Sequence, residues 1–198
     1  MPRPFVLFIS LVLCTLFSLP VSGWAETRAI DDVRMTVDEV LMVLRDKAAP
    51  AAQRRKKIRD LVRGRFDFEL MARSTLGRQW KAASKQEQET FIELYSKLLE
   101  ATYVGRIEAY TDEKVTYGSE KTKGDKALVE TNIVTSTVEI PIEYKLVQNP
   151  AGWKVYDVVI EGVSLIRNFR SSYGSIVDKE GFPGLFARME SKVKELEQ

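Results

Sequence analysis

The hydrophobic period of this chain changes twice, and that pair of changes limits what it can fold into. As far as Tyr110 the apolar residues recur at helical spacing. From Lys114 they alternate in twos, and from Ser164 they return to helical spacing. Helices, then an antiparallel sheet, then helices again make an α+β domain in which a curved sheet of about four strands packs against helices.

The first helical region opens with Thr36-Val37-Asp38-Glu39, which reads as a capping box with Val37, Val40, Leu41 and Leu44 following on one face. Ala49-Pro50 interrupts it. A second helix then turns Ile58, Leu61 and Val62 inward and carries Arg54, Arg55, Lys56, Lys57, Arg59, Arg63 and Arg65 against a lone Asp60. Such a run is either a solvated face or a docking patch for anionic headgroups or an acidic partner. Asp67 is an N-cap for a third segment reaching Trp80. Ser84-Lys85-Gln86-Glu87 is a second capping box, and it opens the longest apolar stripe: Phe91, Leu94, Tyr95, Leu98, Leu99, Thr102 and Tyr103, continuing to Ile107 and Tyr110.

Strands are predicted over 114–119, 126–135, 137–147 and 153–161. In the third, Val138, Ile140, Ile142, Tyr144 and Leu146 share one face, while Glu139, Pro141, Glu143 and Lys145 share the other. Pro141 cannot donate to a ladder and marks an edge or a bulge. Lys123-Gly124-Asp125 and the stretch from Gln148 to Gly152 are turns. Ser164 then caps a helix with Ile166, Phe169, Tyr173 and Ile176 inward. Gly181-Phe182-Pro183-Gly184 breaks it before a last amphipathic helix.

Residues 1–25 read as an export leader. Arg3 is followed by an apolar run from Phe5 to Leu19, closed by Pro20, and Gly23 and Ala25 put small residues where a signal peptidase reads. The run is shorter than the roughly 20 residues of a membrane span. Residues 26–198 then form one domain, large enough to bury a sizeable core. The single cysteine, Cys14, lies inside the leader, so the remaining chain has no disulfide; leader and composition suit a periplasm.

Thirty basic residues stand against 28 acidic ones, which with the leader argues against a nucleic-acid binder. The chain has no histidine, which excludes Ser-His-Asp and Cys-His nucleophilic systems and His-based zinc or haem sites. No phosphate loop, dinucleotide fingerprint or calcium-hand spacing occurs. Asp157, set among Trp153, Val155 and Val159, is the one candidate general base, with Tyr144 or Tyr156 as partner. A carboxylate so placed more often accepts backbone or arginine donors.

Five motifs in order resemble the MlaC-type periplasmic phospholipid-binding proteins, auxiliary components of an ABC transport system. They are Phe68-x-x-Met71-Ala72-Arg73-x3-Gly77-Arg78-x-Trp80; the Ser84 box leading to Phe91-x3-Tyr95; and Ile140-Pro141-Ile142-x-Tyr144. Trp153-Lys154-Val155-Tyr156-Asp157 and Gly162-Val163-Ser164-Leu165-Ile166-x-Asn168-Phe169-Arg170-Ser171 complete the set. The similarity runs from about Val33 to the C-terminus, with a short link at Ser136-Thr137 as the one departure. It implies a monomeric shuttle with no cofactor, carrying a glycerophospholipid as cargo. Its partners would be an inner-membrane ABC transporter complex and an outer-membrane lipoprotein complex. The acyl tails would lie in an apolar pocket, with the headgroup near solvent.

On that reading the pocket is lined where the long helix, the sheet and the following helix meet: Tyr103, Ile107, Ile140, Ile142, Tyr144, Val155, Val159, Val163, Ile166 and Phe169. Arg73, Arg78, Arg167 and Arg170 are the candidate fork donors to a phosphate or a partner. An interaction protein that docks through Arg54–Arg65 and holds nothing in its core is the alternative.

Overall fold

The computed structural model describes residues 27–108 and 114–197. The leader and Tyr110 lie outside them. Five helices, α1 (Ala29–Arg45), α2 (Ala51–Arg65), α3 (Phe68–Leu76), α4 (Arg78–Ala82) and α5 (Lys85–Glu108), precede the sheet. The strands β1 (Lys114–Lys123), β2 (Lys126–Val134), β3 (Glu139–Asn149), β4 (Gly152–Ile160) and β5 (Val163–Ser164) pair antiparallel in chain order, and α6 (Leu165–Leu196) follows. The fold is the expected α+β arrangement, with a fifth, two-residue strand folding back on β4.

Local capping chemistry sets several boundaries. Asp67 accepts the Leu70 N–H at 2.8 Å. Ser84 and Glu87 cap reciprocally: the Glu87 carboxylate accepts the Ser84 N–H at 2.8 Å, and Ser84 Oγ accepts the Glu87 N–H at 3.2 Å. Thr36, by contrast, is not a cap. It lies inside α1, its hydroxyl donating to the Asp32 carbonyl one turn back. Helix α1 begins seven residues earlier than Thr36, at Ala29, because Glu120 of β1 accepts the Ile30 N–H at 3.2 Å and so supplies the cap from across the fold.

Two β-bulges bend the sheet, one in β1 between Tyr117 and Glu120, the other in β4 opposite Lys145 and Leu146. The second has the larger consequence. Leu146 pairs with Val155 but Lys145 pairs with Asp157, so the inner face of β4 reads Trp153, Val155, Val158 and Ile160, and Asp157 leaves it. Pro141 pairs with Asn132 within the sheet interior, but β4 begins pairing with β3 only at Ile142. Its missing N–H therefore faces the end of β4, where its carbonyl accepts from Glu161. It is an edge position locally, not by strand order.

The main core joins α5 and α6 through aromatic rings. Phe91 stacks on Tyr95 at 5.4 Å, Tyr173 meets Phe91 edge-on at 5.9 Å, and Phe169 meets Tyr95 edge-on at 5.6 Å. The Tyr95 hydroxyl takes a bond from Thr75 of α3, and burial pushes its phenol pKa up. Helix α6 kinks at Gly181, whose φ of 68° an L side chain rarely adopts, with Pro183 just beyond. The expected break is therefore present: with ψ at −176° as well, Gly181 separates two helical stretches of α6.

Asp157 fastens this assembly. It is 3% exposed and accepts bonds from Lys145 Nζ at 2.9 Å, Ser164 Oγ at 2.7 Å and the Ile166 N–H at 3.2 Å. Ser164 Oγ in turn accepts the Arg167 N–H, so the first turn of α6 is capped by two residues. We expect Ser164→Ala to lower unfolding stability by about 1–2 kcal/mol in urea titration. An unchanged midpoint would contradict this capping role.

Candidate functional site

The described core is in two parts. One unites α3, α5, α6, the sheet and the start of α1; the other is a small cluster of Leu44, Ile58 and Val104 with Val40, Leu41, Val62 and Ile107 against it. Between them lies a cavity of about 380 Å³ lined by both. Along α1 its lining runs from Asp32 to Leu44, roughly 18 Å at 1.5 Å per residue. Along β3 it runs from Ile140 to Leu146, roughly 20 Å at about 3.4 Å per residue. Both walls thus offer apolar lining over roughly 20 Å.

Its walls are apolar because the pleat and the helix period both turn apolar side chains toward it. Strand β3 gives Ile140, Ile142, Tyr144 and Leu146, and β4 gives Trp153, Val155, Val158 and Ile160. Helix α1 gives Val33, Val37, Val40, Leu41 and Leu44, and α5 gives Leu99, Tyr103, Val104 and Ile107. Phe66, Phe68 and Met71 close the side next to β4. One end is pinned by polar bonds: Asp32 accepts the Trp153 N–H at 3.1 Å, and the Trp153 indole donates to the Thr27 carbonyl at 2.7 Å. Gly152, at φ 104°, turns the β3–β4 hairpin beside that carboxylate.

Of the ten residues expected to line a pocket, the structure brings Tyr103, Ile107, Ile140, Ile142, Tyr144 and Val155 to this cavity. The other four sit elsewhere. The β4 bulge gives the inner position to Val158 and turns Val159 away. Val163, in β5 at the sheet edge, is 56% exposed. Ile166 is buried at the start of α6, and Phe169 belongs to the aromatic cluster with Tyr95 and Tyr173. The contribution of α1 was the largest omission; the helical stripe at Val37, Val40, Leu41 and Leu44 was its available signal.

The four candidate arginines do not line the cavity. Arg78 is paired with Asp178 at 2.8 Å, and Arg170 bonds the Ser74 carbonyl near the end of α3. Arg73 and Arg167 are exposed on α3 and α6. The charged residues at the cavity are instead Asp32, Arg65, Glu100, Arg106 and Glu161. Glu100 is 6% exposed and held by Arg63 of α2 in a two-point pair, 2.5 and 3.0 Å. That hydrogen bond raises the Arg63 pKa. Arg55 to Glu108 at 2.6 Å repeats the tie further along the two helices, and Lys56 is paired with Asp60. Three of the seven cations on α2 are therefore already neutralised.

Among the described residues there is no cluster of acidic, histidine or cysteine groups able to hold a metal, and no helix long and apolar enough to cross a membrane. Of Asp157 and its two candidate partners, only Tyr144 lines the cavity; Asp157 and Tyr156 lie outside its lining, and Asp157 accepts bonds from Lys145, Ser164 and the Ile166 N–H.

Comparison with known proteins gives concordant matches. The family described as MlaC protein matches residues 34–191. The intermembrane phospholipid transport system binding protein MlaC of Haemophilus influenzae is 24% identical over 191 residues, covering 91% of this chain and 89% of that protein. The fold is shared with a phospholipid-binding protein from Ralstonia solanacearum, solved in complex with a phospholipid. The TM-score is 0.79 at 23% identity, over 87% of this chain and all of the other.

We expect Arg63→Met to cost about 1–2 kcal/mol, since it strands a buried carboxylate while Arg63 itself is half exposed. Replacing Glu100 by Leu in that background should recover most of the loss in a thermal or urea melt. Additive losses would show the pair to be uncoupled.

Proposed function

The chain belongs to the MlaC protein family, and on that premise we propose that it is a periplasmic phospholipid carrier, holding acyl tails in the cavity between its helices and sheet. Residues 1–25 serve as the cleaved leader, and residues 26–198 as the single lipid-binding domain. The carrier takes glycerophospholipid between an inner-membrane ABC transporter complex and an outer-membrane lipoprotein complex, in service of outer-membrane lipid asymmetry.

The apolar cavity carries this reading. A dry void of 380 Å³ would cost on the order of 9 kcal/mol at about 24 cal/mol per Å³, comparable with the whole stability of an ordinary domain. Water entering it would find few polar partners on these walls. Acyl chains match the lining in chemistry and in length. Two tails of about 16 carbons, at ~0.8 kcal/mol per methylene, would lose on the order of 25 kcal/mol in water. A carrier must enclose nearly all of both. The bilayer buries them equally well, so net transfer lies near zero and direction comes from the partners.

Native mass spectrometry of the processed protein from the periplasm, with lipid extraction, tests the reading. The wild type is expected near one phospholipid per chain. Ile142→Trp with Val155→Trp, which adds bulk on two neighbouring strands of the sheet wall, should emerge lipid-free with a native circular dichroism spectrum. Full lipid loading of that folded double variant would overturn the assignment of this cavity.

A further inference from the structure

We propose that the cavity's opening recognises a zwitterionic headgroup, with Arg65 and Arg106 holding the phosphodiester and Glu161 the ammonium. This rests on the carrier reading above. Five charged residues line the cavity, and two are buried and committed: Glu100 to Arg63, Asp32 to the Trp153 N–H. The other three reach solvent, with Arg65 half-buried and Arg106 and Glu161 exposed, so each borders water as well as the slot. An amphiphile whose tails fill the slot must place its polar group there.

Both rim arginines are also unpaired among the described residues. Helices α2 and α5 make ion pairs through Arg55, Lys56, Arg63 and Lys97, among others, but neither Arg65 nor Arg106 has a carboxylate partner among the described residues. Arg106 lies over the Tyr103 ring at 5.6 Å, which steadies the guanidinium at the edge of the apolar wall. Planar guanidinium forks suit a phosphodiester. Each of these two arginines comes from a wall of the slot, α2 or α5, and each stands above apolar lining from the same helix.

Glu161 brings an independent observation. It and Gly162 form the two-residue loop between β4 and β5, and both have positive φ, 50° and 79°, as a type I′ turn requires. Glycine, asparagine or aspartate ordinarily fills such a position. Glu161 is the one non-glycine residue with positive φ among those described, a conformation that costs of order 1 kcal/mol or more. The turn thus holds a carboxylate at the rim against its backbone preference. There it complements an ammonium and disfavours a second negative charge.

Equal amounts of dipalmitoyl-phosphatidylethanolamine, dipalmitoyl-phosphatidylglycerol and dipalmitoylglycerol in mixed vesicles, followed by extraction of the re-isolated protein, read the preference directly. The wild type should take both phospholipids several-fold over the diacylglycerol, and the ethanolamine lipid several-fold over the glycerol one. Arg65→Gln with Arg106→Gln should bring phospholipid down to the diacylglycerol level. Glu161→Gln should level the two phospholipids while keeping both above the diacylglycerol. Wild-type uptake of diacylglycerol at phospholipid levels, equal uptake of the two phospholipids by the wild type, or wild-type ratios in the folded variants would overturn the headgroup site and leave the carrier standing. A wild type that takes up none of the three would remove the carrier reading and this site together.

Discussion

Everything distinctive in this molecule follows from a core that does not close. The inner face of the sheet and the helices α1, α2 and α5 present apolar side chains toward one another, yet a slot of about 380 Å³ keeps them apart. Collapse is prevented by groups that are satisfied elsewhere. The aromatic cluster of Phe91, Tyr95, Phe169 and Tyr173 fixes α5 against α6. Asp157 fixes α6 to the sheet, and Asp32 and Glu120 fix α1 to opposite sides of it. Helix α2 is held over the slot mainly by polar ties, since Ile58 is its only fully buried apolar side chain. A void sustained in this way is a binding site in the thermodynamic sense: whatever fills it recovers contacts the protein cannot make by itself.

The occupant's chemistry follows from the same walls. Their few buried charges are compensated internally, so the interior asks only for apolar volume, and selectivity is left to the rim. Binding that is strong relative to water but near neutral relative to a bilayer is what a shuttle requires, because a tighter grip would slow release.

Local signals were legible in the sequence where both partners lie within one turn, as at Asp67, Ser84 and Ser164. Thr36 shows the limit. Its capping-box pattern was overridden by Glu120, 90 residues away from the Ile30 N–H it caps, a partner no local window contains. The period-two reading of β3 held for Ile140, Ile142, Tyr144 and Leu146, whereas Val138, expected on the same face, precedes the strand and is 54% exposed. In β4 the same reading failed beyond Val155, because one bulged residue exchanges the faces and brings Val158 inward in place of Val159. The rim arginines were hidden for a related reason. Arg65 sat inside a basic run that looked like a solvated face, and only the packing of α2 showed which of those cations were paired and which bordered the slot.

The central claim is that acyl tails lie lengthwise in this slot, and paramagnetic NMR tests it most directly. A phosphatidylcholine spin-labelled near the end of one acyl chain, bound to methyl-labelled protein, reports where that terminus sits. The account predicts selective broadening of methyls lining the slot, such as Val33, Ile142 and Leu146, while Leu185 and Met189, buried in α6 away from it, stay sharp. A label nearer the carbonyl should shift the broadening toward the rim methyls beside Arg106 and Glu161. Broadening confined to exposed surface methyls, or the same pattern from both labels, would contradict it.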